Sequence, residues 1–245
     1  MLFIVRAILA ILYGLLVCIL GSFYCLLSPR NPRHVARFAH LFARMSTLFG
    51  IKVEQRLPPE YSKCGHCIYI ANHQNNYDMV TTAKIVSPGT ITVGKKSLIW
   101  IPLFGPLYWL TGNLLIDRDD RKKARRIIHQ IVEYIKKNYI SILMFPEGTR
   151  SRGRGLLPFK LGAFHAAIEA GVPIVPVCVS NTHHIDLNRW FNGWVIVEAL
   201  PPIDTRLYKK ENVRALSDYC FNQMKEKIEA LDKQVAERMT ELLKR

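Results

Sequence analysis

The chain has few acidic residues, with 19 Asp and Glu against 34 Lys and Arg, and its formal net charge is +15 at pH 7. This shortage of negative charge predicts attraction to anions, such as nucleic acid, anionic lipid, phosphorylated substrates or an acidic carrier protein. Charge alone does not choose among these partners. The chain also lacks internal repeats and low-complexity tracts, which excludes a repeat architecture.

Paired cysteines are scarce as well. Cys64 and Cys67 form the single close pair, and no second pair follows that would complete a zinc site. We therefore interpret the cysteines as reduced thiols of a cytosolic domain, where simple packing explains them. The six cysteines are Cys18, Cys25, Cys64, Cys67, Cys178 and Cys220.

With 245 residues, of which 49% are hydrophobic, the chain is long enough for one large α/β domain with an appendage. The appendage is N-terminal, because residues 7–27 are 21 positions without a charge. A helix of this length rises about 30 Å, which matches the apolar core of a bilayer. A cleaved signal peptide is the alternative, but no small-x-small cleavage site follows. We predict a retained membrane segment that either crosses the bilayer or turns back as half of a hairpin.

Residues 33–50 predict an amphipathic helix with a basic polar face. This pattern is typical of a helix among anionic headgroups, and its position after an apolar helix favours that interpretation over packing on the protein's own core. We predict a two-helix membrane anchor over residues 1–50 and an α/β domain over residues 51–245, on the cytoplasmic side. The apolar stripe of the second helix consists of Val35, Phe38, Phe42, Met45 and Phe49.

One stretch stands out for its chemistry. His73 follows a short buried strand at residues 67–71, and Asp78 follows His73 by five positions. Ligands bind at the carboxyl ends of strands in open α/β sheets. If Asp78 lies in the first turn of a helix capped by Asn75 or Asn76, its carboxylate can hold one imidazole nitrogen and leave the other as a base. A loop histidine beside an aspartate that only caps the helix is the alternative.

A second unusual loop, residues 146–155, follows an apolar strand at residues 141–145. Its arginines, Arg150, Arg152 and Arg154, stand at alternate positions where they can surround a phosphate, although an Arg/Gly loop is also often plain surface. If the strands are parallel, this loop opens on the same edge of the sheet as His73. A strand over residues 112–118 ends in Arg118, which suits either a phosphate or a surface ion pair.

Several other segments leave alternatives open. Residues 97–110 are apolar and aromatic, and they form either ordinary core or a wall beside a lipid chain. Residues 121–138 predict an amphipathic helix whose basic first turns are either a solvated face or a dock for an acidic carrier. Residues 213–242 predict a long helix that packs on the domain or partly on the membrane.

Two further patterns concern the last strands. Pro173 and Pro176 lie in a strand that begins at residue 172, and Pro176 cannot donate to a ladder, so we predict an edge strand or a bulged start. His183, His184 and Asp186 look like a metal cluster, but nothing supports ligand geometry, and a polar loop is the favoured interpretation.

Four of these stretches, in this order, resemble the glycerolipid acyltransferase family. Each block is weak alone, whereas the ordered set spans nearly the whole chain and is highly specific. The chain departs from the family pattern at Asn75, where serine is frequent, and we expect this to alter the helix cap and not the chemistry. The matching blocks are Asn72 to Asp78, Gly112 to Arg118, Phe145 to Arg150 and Val172 to Pro176.

The resemblance implies transfer of a fatty acyl group from an acyl carrier protein or coenzyme A thioester to the sn-2 hydroxyl of lysophosphatidic acid, which gives phosphatidic acid at a bacterial inner membrane. It implies neither a metal nor a covalent acyl-enzyme, and no cofactor besides the thioester. His73 is then the general base and Asp78 its orienting partner. The resemblance assigns Arg118, Glu147, Gly148, Thr149 and Arg150 to the phosphate-glycerol end, and Pro173 and Pro176 to the acyl side or the shape of the site.

Three other functions stay open. A non-catalytic protein that binds anionic lipid keeps every charge but has no use for His73 facing Asp78. A hydrolase or thiol acyltransferase would use Cys64 or Cys67. Nucleic-acid binding is disfavoured, because the sequence shows no recognition helix or aromatic stacking platform, and the N-terminus is apolar.

Overall fold

The structure is a computed structural model that describes residues 1–116 and 124–244. Every strand predicted from the sequence is present. The structure adds a further strand, β1, that the sequence pattern does not predict. The strands are β1 (Lys52–Arg56), β2 (Ile68–Ala71), β3 (Thr90–Lys95), β4 (Leu114–Ile116), β5 (Ser141–Met144), β6 (Ile174–Val179) and β7 (Trp194–Ala199). The helices are α1 (Leu2–Leu26), α2 (Arg33–Ala43), α3 (Met45–Leu48), α4 (Asp78–Thr81), α5 (Phe104–Leu110), α6 (Ala124–Asn138), α7 (Gly162–Ala170) and α8 (Val213–Leu243).

The strands form one sheet in the order β1-β7-β6-β2-β5-β3-β4. Neighbouring strands are parallel except β6 and β7, which are antiparallel. The central strands β2 and β6 are buried at every position, as expected for continuous apolar runs in a sheet covered by helices. The prediction of an α/β fold with a mixed, mostly parallel sheet is confirmed.

Pro176 lies inside β6, which is a central strand between β7 and β2. The prediction of an edge strand is therefore wrong, whereas its alternative, a bulged start, agrees with the one-residue register shift between the bridge of Ile174 with Ile203 and the pair Val177 and Ala199. The ladder tolerates this proline because it stands at the end of the antiparallel pairing, just beyond the pair Val177 and Ala199. There the carbonyl of Pro176 accepts a 2.8 Å hydrogen bond from the N–H of Leu200. The missing backbone N–H of Pro176 is not needed for this contact.

The amphipathic segment after α1 packs on the protein itself. Val35 and Phe49 join the main core around the sheet, and Phe38 and Phe42 join a smaller cluster that includes Leu107 of α5. The prediction that this apolar stripe lies in a membrane is therefore wrong, because the sheet and the neighbouring helices offer it a closer apolar surface. The basic side chains on the other face stay exposed.

Helix α1 has 25 residues with a mean hydropathy of 2.7 in its most apolar window, and among the described helices it alone is long and apolar enough to cross a membrane. One narrow face packs against α2 and α5, through Val17, Cys18 and Gly21. Gly21 permits this approach, since a Cβ there would lie 2.5 Å from the ring of Phe38. Most of the remaining surface of α1 is exposed and apolar.

Helix α8 closes the other end of the domain. Its stripe of Leu216, Cys220, Met224 and Leu231 is fully buried, and the helix packs on α7, β6 and β7. The prediction that this helix packs on the domain is confirmed.

Candidate active site

Three parallel strands bring the reactive residues to one edge of the sheet. His73 follows β2, Glu147 follows β5, and Lys95 is the last residue of β3. Because β2, β5 and β3 are adjacent and parallel, their carboxyl ends open on the same edge. We call residues 72–78 the histidine loop and residues 146–155 the arginine loop.

His73 and Asp78 form a direct pair. The distance from His73 Nδ1 to Asp78 Oδ2 is 2.6 Å. An ionised carboxylate only accepts hydrogen bonds, so Nδ1 carries the proton and Nε2 is the nitrogen with a free lone pair. The Asp78 side chain is 4% exposed and that of His73 is 19% exposed. The pair is therefore shielded at the carboxylate and open at the imidazole, as a general base requires.

The same carboxylate oxygen also organises the loop. Asp78 Oδ2 accepts bonds from the backbone N–H groups of Gln74 (2.8 Å) and Asn75 (3.3 Å). The N-cap of α4 is Tyr77, so the prediction of Asn75 or Asn76 as N-cap is wrong. The reason is local, because Asn75 Oδ1 accepts from the N–H of Tyr77 (2.8 Å) and closes a tight turn before the helix begins.

Strand β6 and the residues after it hold the histidine loop from the side. Asn72 exchanges two hydrogen bonds with the backbone of Val179. The Gln74 amide donates to the carbonyls of Val179 and Ser180 and accepts from the N–H of Thr182 (3.0 Å). These buried polar groups all have partners, which fixes one conformation of the loop.

The arginine loop is bonded directly to the histidine loop. The N–H of Ser151 donates to the carbonyl of His73 (2.8 Å), and the N–H of Arg152 donates to the carbonyl of Gln74 (3.0 Å). Arg154 is exposed as well, but it bends back along its own loop and donates to the carbonyls of Ser151 (2.8 Å) and Arg150 (3.3 Å). Arg154 therefore shapes the loop, while the side chains of Arg150 and Arg152 face solvent.

Glu147 connects the arginine loop with the histidine loop through buried hydrogen bonds. It is 3% exposed, and its Oε1 accepts from the N–H of His73 (2.6 Å) while Oε2 accepts from the N–H of Leu157 (2.9 Å). Burial raises the pKa of this carboxyl group, and the two backbone bonds partly offset that rise. A buried carboxylate with both oxygens occupied has no group to offer an anion, so Glu147 positions His73.

Two lysines that were not predicted as site residues from the sequence also lie at this edge. Lys95 is exposed at the end of β3, and the Lys160 ammonium lies over Gly148, where a Cβ would meet its Nζ at 2.7 Å. Gly148 has φ 69° and begins the turn into the loop, and Thr149 beside it is exposed. The sequence signal that could have identified Lys95 is its position, because it stands at the carboxyl end of the apolar run that forms β3.

Other predicted site residues lie elsewhere. Arg118 falls outside the described residues. Pro173 stands at the amino end of β6, where its carbonyl accepts from the N–H of Ile68, so it lies at the sheet edge opposite His73. Pro176 is buried in the middle of the sheet, paired with Ile70. The structure therefore does not bring the two prolines to the site, because they precede the carboxyl end of their strand.

The cysteine pair also lies at the wrong end for catalysis beside His73. Cys67 immediately precedes β2, and its N–H donates to Ser141 Oγ (3.1 Å) at the start of β5. Contact with Cys64, together with burial, raises the pKa of the Cys67 thiol, which disfavours the thiolate. Both observations weigh against Cys67 as a nucleophile, whereas the pKa of Cys64 is lowered by its hydrogen bond with Cys67 and only its distance from His73 along the strand argues against it.

The His183, His184 and Asp186 cluster is a polar loop. His184 Nε2 contacts the carbonyl of Asn192 (2.8 Å), and Asp186 Oδ1 accepts from the N–H of Asn188. Within the part of the chain that the structure describes, no group of three or more His, Cys, Asp or Glu residues is placed to hold a metal ion.

A cavity of about 490 Å³ adjoins the histidine loop. Its apolar walls come from Met45 and Phe49, from Val80 of α4, and from Ile185 and Leu187 after β6. The predicted apolar wall at residues 97–110 is divided, since α5 buries part of it while Trp100 is exposed. His73 does not line this cavity, but Asn75, Asn76 and Tyr77 of the histidine loop do. An apolar cavity at this loop suits a ligand with a hydrocarbon portion.

Comparison with known proteins gives concordant matches. A family model described as Acyltransferase matches residues 51–180. The 1-acyl-sn-glycerol-3-phosphate acyltransferase of Escherichia coli (strain K12) is 64% identical over 239 residues, covering 97% of this chain and 98% of the relative. The protein of that name from Haemophilus influenzae is 53% identical over 237 residues, covering 96% and 99%.

The fold agrees with a solved structure. The crystal structure of the 1-acyl-sn-glycerophosphate (LPA) acyltransferase from Thermotoga maritima matches with a TM-score of 0.76 and 25% sequence identity, covering 94% of each chain. The family model spans more than half of this chain, and the two bacterial relatives span nearly all of it. The chain belongs to the acyltransferase family.

Proposed function

We propose that the protein is a 1-acyl-sn-glycerol-3-phosphate acyltransferase that makes phosphatidic acid for phospholipid biosynthesis. The observation that carries this proposal is the 2.6 Å bond between His73 and Asp78, formed on the sheet edge that also holds the arginine loop. A non-catalytic protein that binds anionic lipid needs the cations but not this pair.

In the proposed reaction, His73 Nε2 takes the proton of the sn-2 hydroxyl of lysophosphatidic acid as the alcohol oxygen attacks the thioester carbonyl. The carbon–oxygen bond forms, the carbon–sulfur bond breaks, and the proton reaches the departing thiolate. Asp78 stabilises the imidazolium that forms in between. A thioester is already activated, so positioning, which contributes about 7–11 kcal/mol, and the base supply most of the acceleration.

The acceptor's phosphate has cations within reach of this base. We assign Arg150 and Arg152 to it from the arginine loop, with Lys95 and Lys160 beside them, and we keep Arg118 as a proposed contact. Gly148 and Thr149 shape the approach to that phosphate, and Glu147 holds the backbone of His73. Charge-assisted bonds to phosphate orient the glycerol so that its free hydroxyl meets the imidazole.

The donor is proposed to be an acyl carrier protein or coenzyme A thioester, with no other cofactor. Both donors are anionic, and the net charge of +15 favours their approach. The lipid acceptor is proposed to arrive from the bilayer. The exposed apolar surface of α1 supports membrane association through residues 1–50, with catalysis by residues 51–245 on the cytoplasmic face of a bacterial inner membrane.

The test supplies purified protein in detergent with lysophosphatidic acid and a labelled acyl carrier protein or coenzyme A thioester. We expect labelled phosphatidic acid, and we expect His73→Ala to reduce kcat by about 10²–10⁴-fold while vesicle binding and folding persist. The matched control is His66→Ala, which alters an exposed histidine at the opposite end of the parallel strands. Equal activity of His73→Ala and the parent would defeat the proposal and favour a lipid-binding role.

A further inference from the structure

Arg6 is an unusual residue within α1. It is the single charged residue of an otherwise apolar helix, yet it is 4% exposed. Its guanidinium donates to the carbonyls of Leu187 (3.0 Å), Trp190 (2.8 Å) and Arg189. Among the described residues no carboxylate pairs with it. A buried charge is costly unless its surroundings hold it, so this junction is a built contact.

Neighbouring residues are shaped around that contact. A Cβ on Gly50 would lie 2.3 Å from the carbonyl oxygen of Trp190 and 3.0 Å from Arg6 Nη2, and only glycine leaves the space. Asn192 donates to the carbonyls of Phe49 (2.8 Å) and Gly50 (2.7 Å). The N–H of Phe3 also donates to Asn188 Oδ1 (3.2 Å).

The segment held by Arg6 reaches the histidine loop. Residues 182–192 begin at Thr182, whose N–H donates to Gln74 Oε1 (3.0 Å) and whose hydroxyl accepts from Asn75 Nδ2 (2.8 Å). The backbone N–H groups of Gln74 and Asn75 in turn bind the carboxylate of Asp78. A continuous set of hydrogen-bonded residues therefore connects α1 with the partner of His73.

The same segment also lines the 490 Å³ cavity through Ile185 and Leu187, together with Tyr77 of the histidine loop and Val80 of α4. Arg6 bonds to the carbonyl of Leu187, so it fixes this part of the cavity wall relative to α1. Loss of the contact frees both the wall and Thr182 to move relative to the histidine loop.

We propose that Arg6 is a positioning residue, which fastens the apolar N-terminal helix to residues 187–190 and thereby holds the histidine loop in its catalytic conformation. The proposal rests on the proposed acyltransferase function. It makes α1 part of the catalytic machinery in addition to a membrane anchor. A displacement of about 1 Å far from the chemistry can reduce the rate by about a hundredfold.

The experiment compares Arg6→Gln with Arg214→Gln, which removes the same charge from an exposed position on α8. Activity is measured with lysophosphatidic acid in vesicles of phosphatidylethanolamine and phosphatidylglycerol, together with vesicle flotation. We expect Arg6→Gln to lower kcat about ten- to a hundredfold without changing KM or flotation. Arg214→Gln should match the parent, and Arg6→Lys should retain part of the activity because an ammonium still donates.

A double-variant cycle separates positioning from general destabilisation. Thr182→Val removes the hydroxyl contact with Asn75 at the other end of the same segment, so the combined variant should lose much less than the product of the two single losses. Multiplicative losses would overturn the proposal, as would parental kcat in folded Arg6→Gln. Loss of activity only through release from vesicles would also overturn it.

If Arg6→Gln gives no folded protein, Arg6→Lys tests the same contact, because one ammonium replaces the two guanidinium nitrogens that reach the three carbonyls. A lowered kcat with unchanged KM supports the proposal, and parental kcat overturns it. The unsubstituted protein serves as the reference for the reaction itself. If it makes no phosphatidic acid, the acyltransferase function fails, whereas an active parent with unaffected variants removes only the role of Arg6.

Discussion

Among single residues, Glu147 shows how a buried acid can serve a base without touching the substrate. Its two oxygens bind the backbone N–H groups of His73 and Leu157. Burial raises its pKa above the ordinary value of a glutamate. Because the folded-state pKa is raised, the stability contributed by this group is full below the unfolded pKa of about 4.3 and is lost as the pH rises through the folded pKa.

We therefore predict a pH-dependent difference between the parent and Glu147→Gln, which cannot ionise. The free energy of unfolding of the parent should exceed that of the variant most at about pH 4, and the difference should narrow toward about pH 7. Urea unfolding in detergent across this range measures it. The variant should also lose kcat, since its amide has one acceptor oxygen for two N–H groups.

A matched control variant should show the opposite pH dependence of the free energy of unfolding. Glu169 is paired with Lys210, and this bond lowers the pKa of the carboxyl group, so its small contribution is lost as the pH falls. The difference between the parent and Glu169→Gln should therefore widen slightly toward neutral pH. If the Glu147→Gln difference also widened toward neutral pH, the assigned burial effect would be wrong.

The site could be predicted from the sequence only where its contacts are local. His73 and Asp78 are five positions apart, so a strand end followed by a helix start was enough to pair them. The role of Glu147 depends on backbone groups 74 positions before it and 10 positions after it in the chain. Lys160 likewise reaches Gly148 through the return of the arginine loop. Such contacts depend on loop conformations that periodicity does not encode.

At the scale of helices, α7 offers a test in which the two ends carry the same residue in different conformations. Gly171 closes the helix with φ 69°, and no atom lies within 4 Å of a Cβ built there. Gly162 begins the helix, also in open space, without a positive φ. Any difference between alanine substitutions at these positions therefore reports backbone conformation, since neither methyl group meets a neighbour.

We predict that Gly171→Ala destabilises the protein by about 1–2 kcal/mol, the strain of a left-handed alanine. Gly162→Ala should stabilise it by about 0.4–1 kcal/mol, because alanine restricts the unfolded chain without strain. Thermal unfolding in detergent should show shifts of opposite sign, of about 2–4 °C per kcal/mol for a chain of this size. Shifts of the same sign would contradict the conformational explanation.

Helices and strands were predicted well where a sequence pattern fits only one environment. They were predicted poorly where two different apolar surfaces could cover the same apolar stripe. The continuous apolar run at residues 68–71 has no stable place outside a covered sheet. The stripe of α2 suits a membrane and a protein core equally, and only the assembled sheet decides between them. Pro176 was misplaced because the pairing of β6 with β7 ends at that residue, which is a property of the partner strand.

For the whole molecule, the central question is how the α/β body meets the lipid acceptor of the proposed reaction. In our proposals, helix α1 has a different function on each of two faces. Arg6, Val17 and Cys18 face the body, whereas an outer stripe faces away from it. The outer stripe includes Ile4, Ile8, Ile11 and Leu15, each between 41% and 61% exposed.

These four outer residues lie on one side of the helix, because steps of three or four residues return to the same face. We predict that replacing them with lysine releases the protein from neutral phosphatidylcholine vesicles, where added positive charge gains no attraction, and leaves folding intact, since the stripe makes no core contact. Vesicle flotation and thermal unfolding measure the two properties. Activity on a short-chain, water-soluble lysophosphatidic acid should persist, while activity on the long-chain lipid in vesicles should fall.

The control is Leu207→Lys. Leu207 lies outside α1 and is 81% exposed, so this substitution should not affect flotation. Retained flotation of the four-lysine variant would move the membrane contact to another surface, and a collapse of thermal stability would show that the outer stripe supports the fold.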